Sequence, residues 1–213
     1  MALTSIRDSS HRSRVVVAVL CVGLFAPGRL SAQVKLEVMP YFASYYATNE
    51  TRFLNESMLE RQEAGPGLGT SLTWRFNNVW AVEASGVYVL SGVVVKDTSF
   101  VNFEPATEGH LVMANARLLF QPRRTNLYFS VGGGLTRRGG PAFDVPGLGD
   151  RSDYSGLVGF GVRARVSPSW GFRLGAEAHF YRTDIDGPQA YYQRRMQRDI
   201  MVTIGVPVAL IGR

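Results

Sequence analysis

From residue 35 onward the apolar side chains recur at every second position, the period of a strand with two unlike faces rather than of a helix. Residues 35–46 carry Leu36, Val38 and Phe42 on one face, and 68–76 carry Leu68, Leu72, Trp74 and Phe76. The run 80–88 sets Trp80, Val82, Ala84 and Tyr88 against Ala81, Glu83, Ser85 and Val87. Residues 112–120 set Val112, Ala114, Ala116, Leu118 and Phe120 against Met113, Asn115, Arg117 and Leu119. Runs at 126–135, 156–166, 171–180 and 200–210 repeat the pattern, which makes eight predicted strands. In the stretch GFRLGAEAHF (171–180) the apolar face is clean, while the other carries Arg173, Glu177 and His179.

The connections alternate strictly in length. Asn77–Asn78, residues 121–125 and Ser167–Pro168–Ser169 are short and built of turn-forming residues. Residues 47–63, 90–109, 136–153 and 183–197 are long and rich in Gly, Pro, Asp, Asn and Arg. In an up-and-down sheet this places every short turn at one end and every long connection at the other.

The first 32 residues have the layout of a cleavable secretory signal. Arg7, Arg12 and Arg14 precede an apolar run from Val15 to Phe25, Pro27–Gly28 break it, and Leu30–Ser31–Ala32 end it. The run is too short to cross a bilayer as a helix. The only cysteine, Cys21, lies within it behind Val19 and Leu20, not behind the small residues of a lipoprotein signal. The expected organisation is a leader over 1–32 and one domain over 33–213. The chain carries a formal net charge of +6, and the leader holds four of the arginines and one aspartate. The mildly basic remainder, with no basic run, does not suggest nucleic-acid binding.

An exported chain of eight alternating strands fits the demands of lipid, where a sheet must close on itself because no strand edge can be left unpaired. The fold class expected is all-β: an eight-stranded antiparallel up-and-down transmembrane β-barrel with short periplasmic turns and long extracellular loops. Aromatics agree. Trp74, Phe76, Trp80, Phe120, Trp170 and Phe172 flank the short turns as one girdle. Tyr45, Tyr46, Tyr88, Phe180, Tyr181, Tyr191 and Tyr192 gather at the other end as a second. A soluble barrel or sandwich is the alternative. Pro40 and Pro207, in the first and last strands, predict an irregular seam where the barrel closes.

The hairpins NLYFSVGGGL and GLVGFGVRARVSPSWGFRLGAEAHFY resemble those of small outer-membrane barrels of the OmpA/OmpX type. The resemblance covers residues 34–213 and is one of alternation and turns. It implies a monomeric eight-stranded barrel in a Gram-negative outer membrane, inserted by the outer-membrane assembly machinery. The chain departs from the pattern in ending VALIGR without a terminal aromatic, and in having no peptidoglycan-binding domain after the barrel.

If the apolar faces meet lipid, Glu37, Arg75, Glu83, Arg117, Arg163, Arg165, Arg173 and Glu177 point into the lumen. Arg163 then stands opposite Arg173, and like charges directly opposite repel. Glu37, Glu83 and Glu177 are the carboxylates within reach, so the expectation is a structural plug of Arg–Glu pairs. Inward glycines at 132, 134, 159, 161 and 175 leave room for it. No metal set or cofactor motif is found. Arg182, Arg194, Arg195 and Arg198 form a basic rim that suits lipopolysaccharide phosphates or a solvated loop equally. The function expected is a structural or surface-interaction role in the membrane without catalysis. The alternatives are a narrow solute pore, a lipid-modifying enzyme drawing on Glu177, His179 and Ser130 or Ser155, and a soluble ligand-binding barrel.

Overall fold

The computed structural model describes residues 35–48, 52–53, 58–97, 108–123, 125–141, 151–183 and 195–211. The leader, Tyr191, Tyr192 and Arg194 lie outside the described residues. Among the described residues twelve strands form: β1 (Lys35–Ala47), β2 (Arg52–Phe53), β3 (Met58–Gln62), β4 (Gly65–Arg75), β5 (Trp80–Leu90), β6 (Val93–Asp97), β7 (His110–Phe120), β8 (Leu127–Gly139), β9 (Arg151–Arg165), β10 (Gly171–Thr183), β11 (Arg195–Gly205) and β12 (Val208–Ile211). The main sheet runs β12-β1-β4-β5-β7-β8-β9-β10-β11, all antiparallel, and a further β1–β11 pairing closes it. β11 and β12 are two halves of one stave, so the closed barrel has eight.

The alternation of the sequence becomes an inverted burial pattern. Along β7 the exposed Val112, Ala114, Ala116 and Leu118 interleave with the buried Leu111, Met113, Asn115, Arg117 and Leu119. Leu68 and Phe160 are 60% and 62% exposed, whereas Glu83 is 1% exposed. Water would penalise such an outer face; lipid does not, and closure satisfies the backbone groups that lipid cannot.

Side-chain oxygens set two of the short turns. Asn77 Oδ1 accepts from the backbone N–H groups of Val79 and Trp80 at 2.7 and 2.8 Å. Ser167 Oγ accepts from Ser169 and Trp170, both at 3.2 Å. The seam is irregular where the two prolines fall. Val206 N–H donates to Pro40 O at 3.2 Å, but Pro40 has no N–H to return, and the stave is interrupted at Val206–Pro207. A register shift follows between Leu36 and Glu37.

Two features of the long-connection end depart from the sequence reading. Several strands run further there than the apolar alternation suggests: β8 reaches Gly139, β9 begins at Arg151 and β11 at Arg195. Segments expected to be loop also form a separate three-stranded sheet, β2-β3-β6.

Candidate functional site: a layered lumen

The buried inward side chains of the described residues lie in three layers along the barrel. In the middle layer, β5 supplies Glu83, β7 Arg117, and β10 Arg173 and Glu177, all between 1% and 6% exposed. Arg173 Nη1 bonds Glu83 Oε2, tying β10 to a stave on the opposite side of the lumen. Arg117 Nη1 bonds Glu177, and its Nε lies 3.3 Å from Glu83 Oε1. Thr73 Oγ1 donates to Glu83 at 2.7 Å, and Arg117 Nη2 to Ser85 Oγ at 2.5 Å. Two cations meet two anions and each group makes at least one hydrogen bond, although Arg117 Nε and Glu177 Oε2 are buried without a hydrogen-bond partner.

Arg163 and Arg173 are direct cross-strand partners, and their repulsion is resolved by division. Arg173 turns to Glu83, while Arg163 Nη2 turns to Glu37 Oε1 at 2.7 Å. The glycine wall makes room for this. A Cβ on Gly161 would lie 2.6 Å from Tyr128 Cε1, and one on Gly159 would lie 2.9 Å from Glu177 Cγ. The Tyr128 ring fills that space, with the Arg173 guanidinium 4.3 Å from its centroid.

At the short-turn mouth Glu37 is shared, since Arg75 Nε reaches its other oxygen at 3.3 Å. Arg75 Nη1 also donates to Gln121 Oε1 at 3.2 Å. Arg165 does not join the plug: it is exposed at the mouth, one inward position nearer solvent than Arg163. The cavity between mouth and middle layer measures about 10 Å³, room for roughly one water molecule.

The upper layer contains what the sequence reading missed. Val87, Val89, Leu111, Met113 and Met201 belong to a buried apolar cluster inside the barrel, which continues through Tyr41 down to Met39 at the lower cavity. Beside it Arg138 Nη1 pairs with Asp153 Oδ2 at 2.6 Å, and Arg138 Nε donates to Gln62 Oε1 at 3.2 Å. Asp199 Oδ2 accepts from Tyr45 at 2.6 Å and from Tyr181. Tyr45 and Tyr181 are therefore buried lumen residues, not members of an outer girdle. The signal for this layer was parity: Thr136, Arg138, Asp153, Gln197 and Asp199 continue the inward positions of their strands beyond the apolar runs. His179 is fully buried, its Nε2 3.6 Å from Glu177 Oε2.

Outside, the aromatics of the short-turn end face outward in touching pairs. Trp74–Phe76, Trp80–Phe120 and Trp170–Phe172 have ring centroids 5.3, 4.8 and 5.4 Å apart.

No family model matches the sequence, and no curated protein is similar to it. Solved structures match its shape. The crystal structure of the outer membrane protein OprG from Pseudomonas aeruginosa aligns at 14% identity and TM-score 0.54, over 85% of this chain and 97% of that one. The solid-state NMR structure of the outer membrane protein AlkL in DMPC lipid bilayers aligns at 12% identity and TM-score 0.54, over 88% and 95%. Similarity at this identity speaks for fold, and closure, alternation and strand number agree with it. In fold, the chain is a closed eight-stranded antiparallel β-barrel, similar to those of these two outer membrane proteins.

Proposed function

We propose that the chain is an integral outer-membrane protein with a sealed lumen, serving a structural or surface-interaction role without catalysis. The observation that carries this reading is the middle layer: Glu83 and Arg173 cross-link opposite walls while Arg117 bridges Glu83 and Glu177. An apolar cluster lies above it and a one-water cavity below. A solute has no path between them. Recognition then belongs to the long connections, which join staves at a single end.

Against a lipid-modifying enzyme stands the placement of the candidate groups. Ser130, Ser155, Glu177 and His179 are all buried on the inward side, walled off from lipid by their own staves. In this reading residues 1–32 are the export signal, the assembly machinery inserts the barrel as a monomer, and lipids are its direct partners. Arg182 and Arg198 support contact with lipopolysaccharide phosphates. Both are exposed on the outward face, and the pairing of Phe180 with Arg198 makes them diagonal neighbours on β10 and β11.

Fractionation of expressing cells, with gel mobility before and after heating, tests the proposal. Recovery in the outer membrane, with a folded band that shifts on boiling, is expected. Recovery as a soluble periplasmic protein would overturn it.

A further inference from the structure

The lumen charges do not balance layer by layer. The middle layer is neutral, with Arg117 and Arg173 against Glu83 and Glu177. At the short-turn mouth four inward-parity cations, Lys35, Arg75, Arg163 and Arg165, surround one carboxylate, Glu37. Glu37 is shared: one oxygen takes Arg75 at 3.3 Å and the other takes Arg163 at 2.7 Å. Lys35 stands directly opposite Arg75 on the neighbouring stave, an arrangement that raises the energy of both unless an anion intervenes. Among the described residues neither Lys35 nor Arg165 forms an ion pair.

All of these groups but Arg75 share one shallow concavity of about 10 Å³, so an oxyanion would be held at its open rim rather than enclosed. Lys35, Glu37, Arg163 and Arg165 line it together with the Ser167–Trp170 turn. A recess with a net excess of one sign of charge raises the local concentration of counter-ions. Guanidinium groups there can offer paired donors to a phosphate or carboxylate. The geometry points to an anion-binding site at the short-turn mouth, with Lys35 and Arg165 as its free cations and Arg163 as the cation shared with Glu37. Its ligand class is a multiply charged oxyanion. On the fold proposed above the mouth opens to the periplasm, but its capacity to bind does not depend on the compartment.

The test uses the full barrel refolded in zwitterionic detergent. Isothermal titration at low ionic strength is run with inorganic pyrophosphate and, separately, with citrate. Binding that weakens as salt shortens the screening length to about 8 Å is expected. Lys35→Gln combined with Arg165→Gln spares every observed ion pair, so the heat-shifted band should persist while affinity falls about tenfold or more. Glu37→Gln removes the competing anion and should shift affinity the other way. Preference for pyrophosphate or for citrate assigns the oxyanion to phosphate or carboxylate chemistry. If neither anion binds more tightly than about 10 mM, or if the folded double variant binds as well as wild type, the site does not exist.

Discussion

Glu83 is the centre of the plug, and Glu83→Ala is the most informative single change. Its carboxylate receives Arg173, Arg117 at 3.3 Å and the Thr73 hydroxyl at 2.7 Å, and it is 1% exposed. Arg117 keeps Glu177 after truncation, but Arg173 loses the one carboxylate it pairs with among the described residues. Orphaning one member of a buried pair costs about 3–5 kcal/mol, and the stranded Thr73 hydroxyl adds about 1 kcal/mol. The expected loss is therefore about 4–6 kcal/mol. A matching change at the exposed Glu108 should stay within about 0.5 kcal/mol. Reversible urea titration in lipid vesicles, read by tryptophan fluorescence and by the heat-shifted gel band, measures both. The companion variant Glu83→Met with Arg173→Met removes both charges and leaves Arg117 with Glu177. It should cost clearly less than Glu83→Ala alone, because desolvation is relieved together with attraction. Equal stability of Glu83→Ala and Glu108→Ala, or a double variant weaker than the single one, would refute the reasoning.

Three more predictions follow from named contacts. Gly175→Ala places a methyl against the Tyr128 hydroxyl and should cost about 1–3 kcal/mol; Tyr128→Phe in the same background should recover much of it, read by the same titration. Asp199→Asn weakens the acceptor that Tyr45 and Tyr181 share and should cost about 1.5–3 kcal/mol, measured again by urea titration. All three tryptophans, Trp74, Trp80 and Trp170, stand at the short-turn end, so brominated lipids should quench fluorescence most when bromine is near the headgroup and least at the bilayer centre.

The barrel was legible because period two holds along the staves and the outward positions between the girdles are mostly apolar. Ala176, Ala178 and Leu174 could be sorted from Arg173 and Glu177 without knowing any contact. The pairing of Arg163 with Arg173 followed from one tight turn, yet the choice each makes of carboxylate did not, since that depends on which staves face each other across the lumen. The upper layer was hidden for two reasons. Beyond Leu135 and before Gly156 the apolar alternation lapses among Arg, Gly, Pro and Asp residues, so the strand signal resembles loop chemistry although the ladder continues through Arg138 and Arg151. Within the strands, Val87, Val89, Leu111 and Met113 sit on the inward face, where sorting by polarity alone leads one to expect charge. The three-stranded sheet rests on short, weakly patterned segments that pair only with one another. The imbalance at the mouth could have been counted from the sequence, but Lys35 looked like a strand terminus until its opposition to Arg75 was seen.

In the function proposed above, the lumen is closed by its own side chains. Single-channel recording of the refolded, full-length barrel in planar bilayers tests that claim most directly. Confirmed insertion with a quiet baseline across the usual voltage range is predicted; reproducible, discrete ohmic steps from the wild-type protein would contradict it.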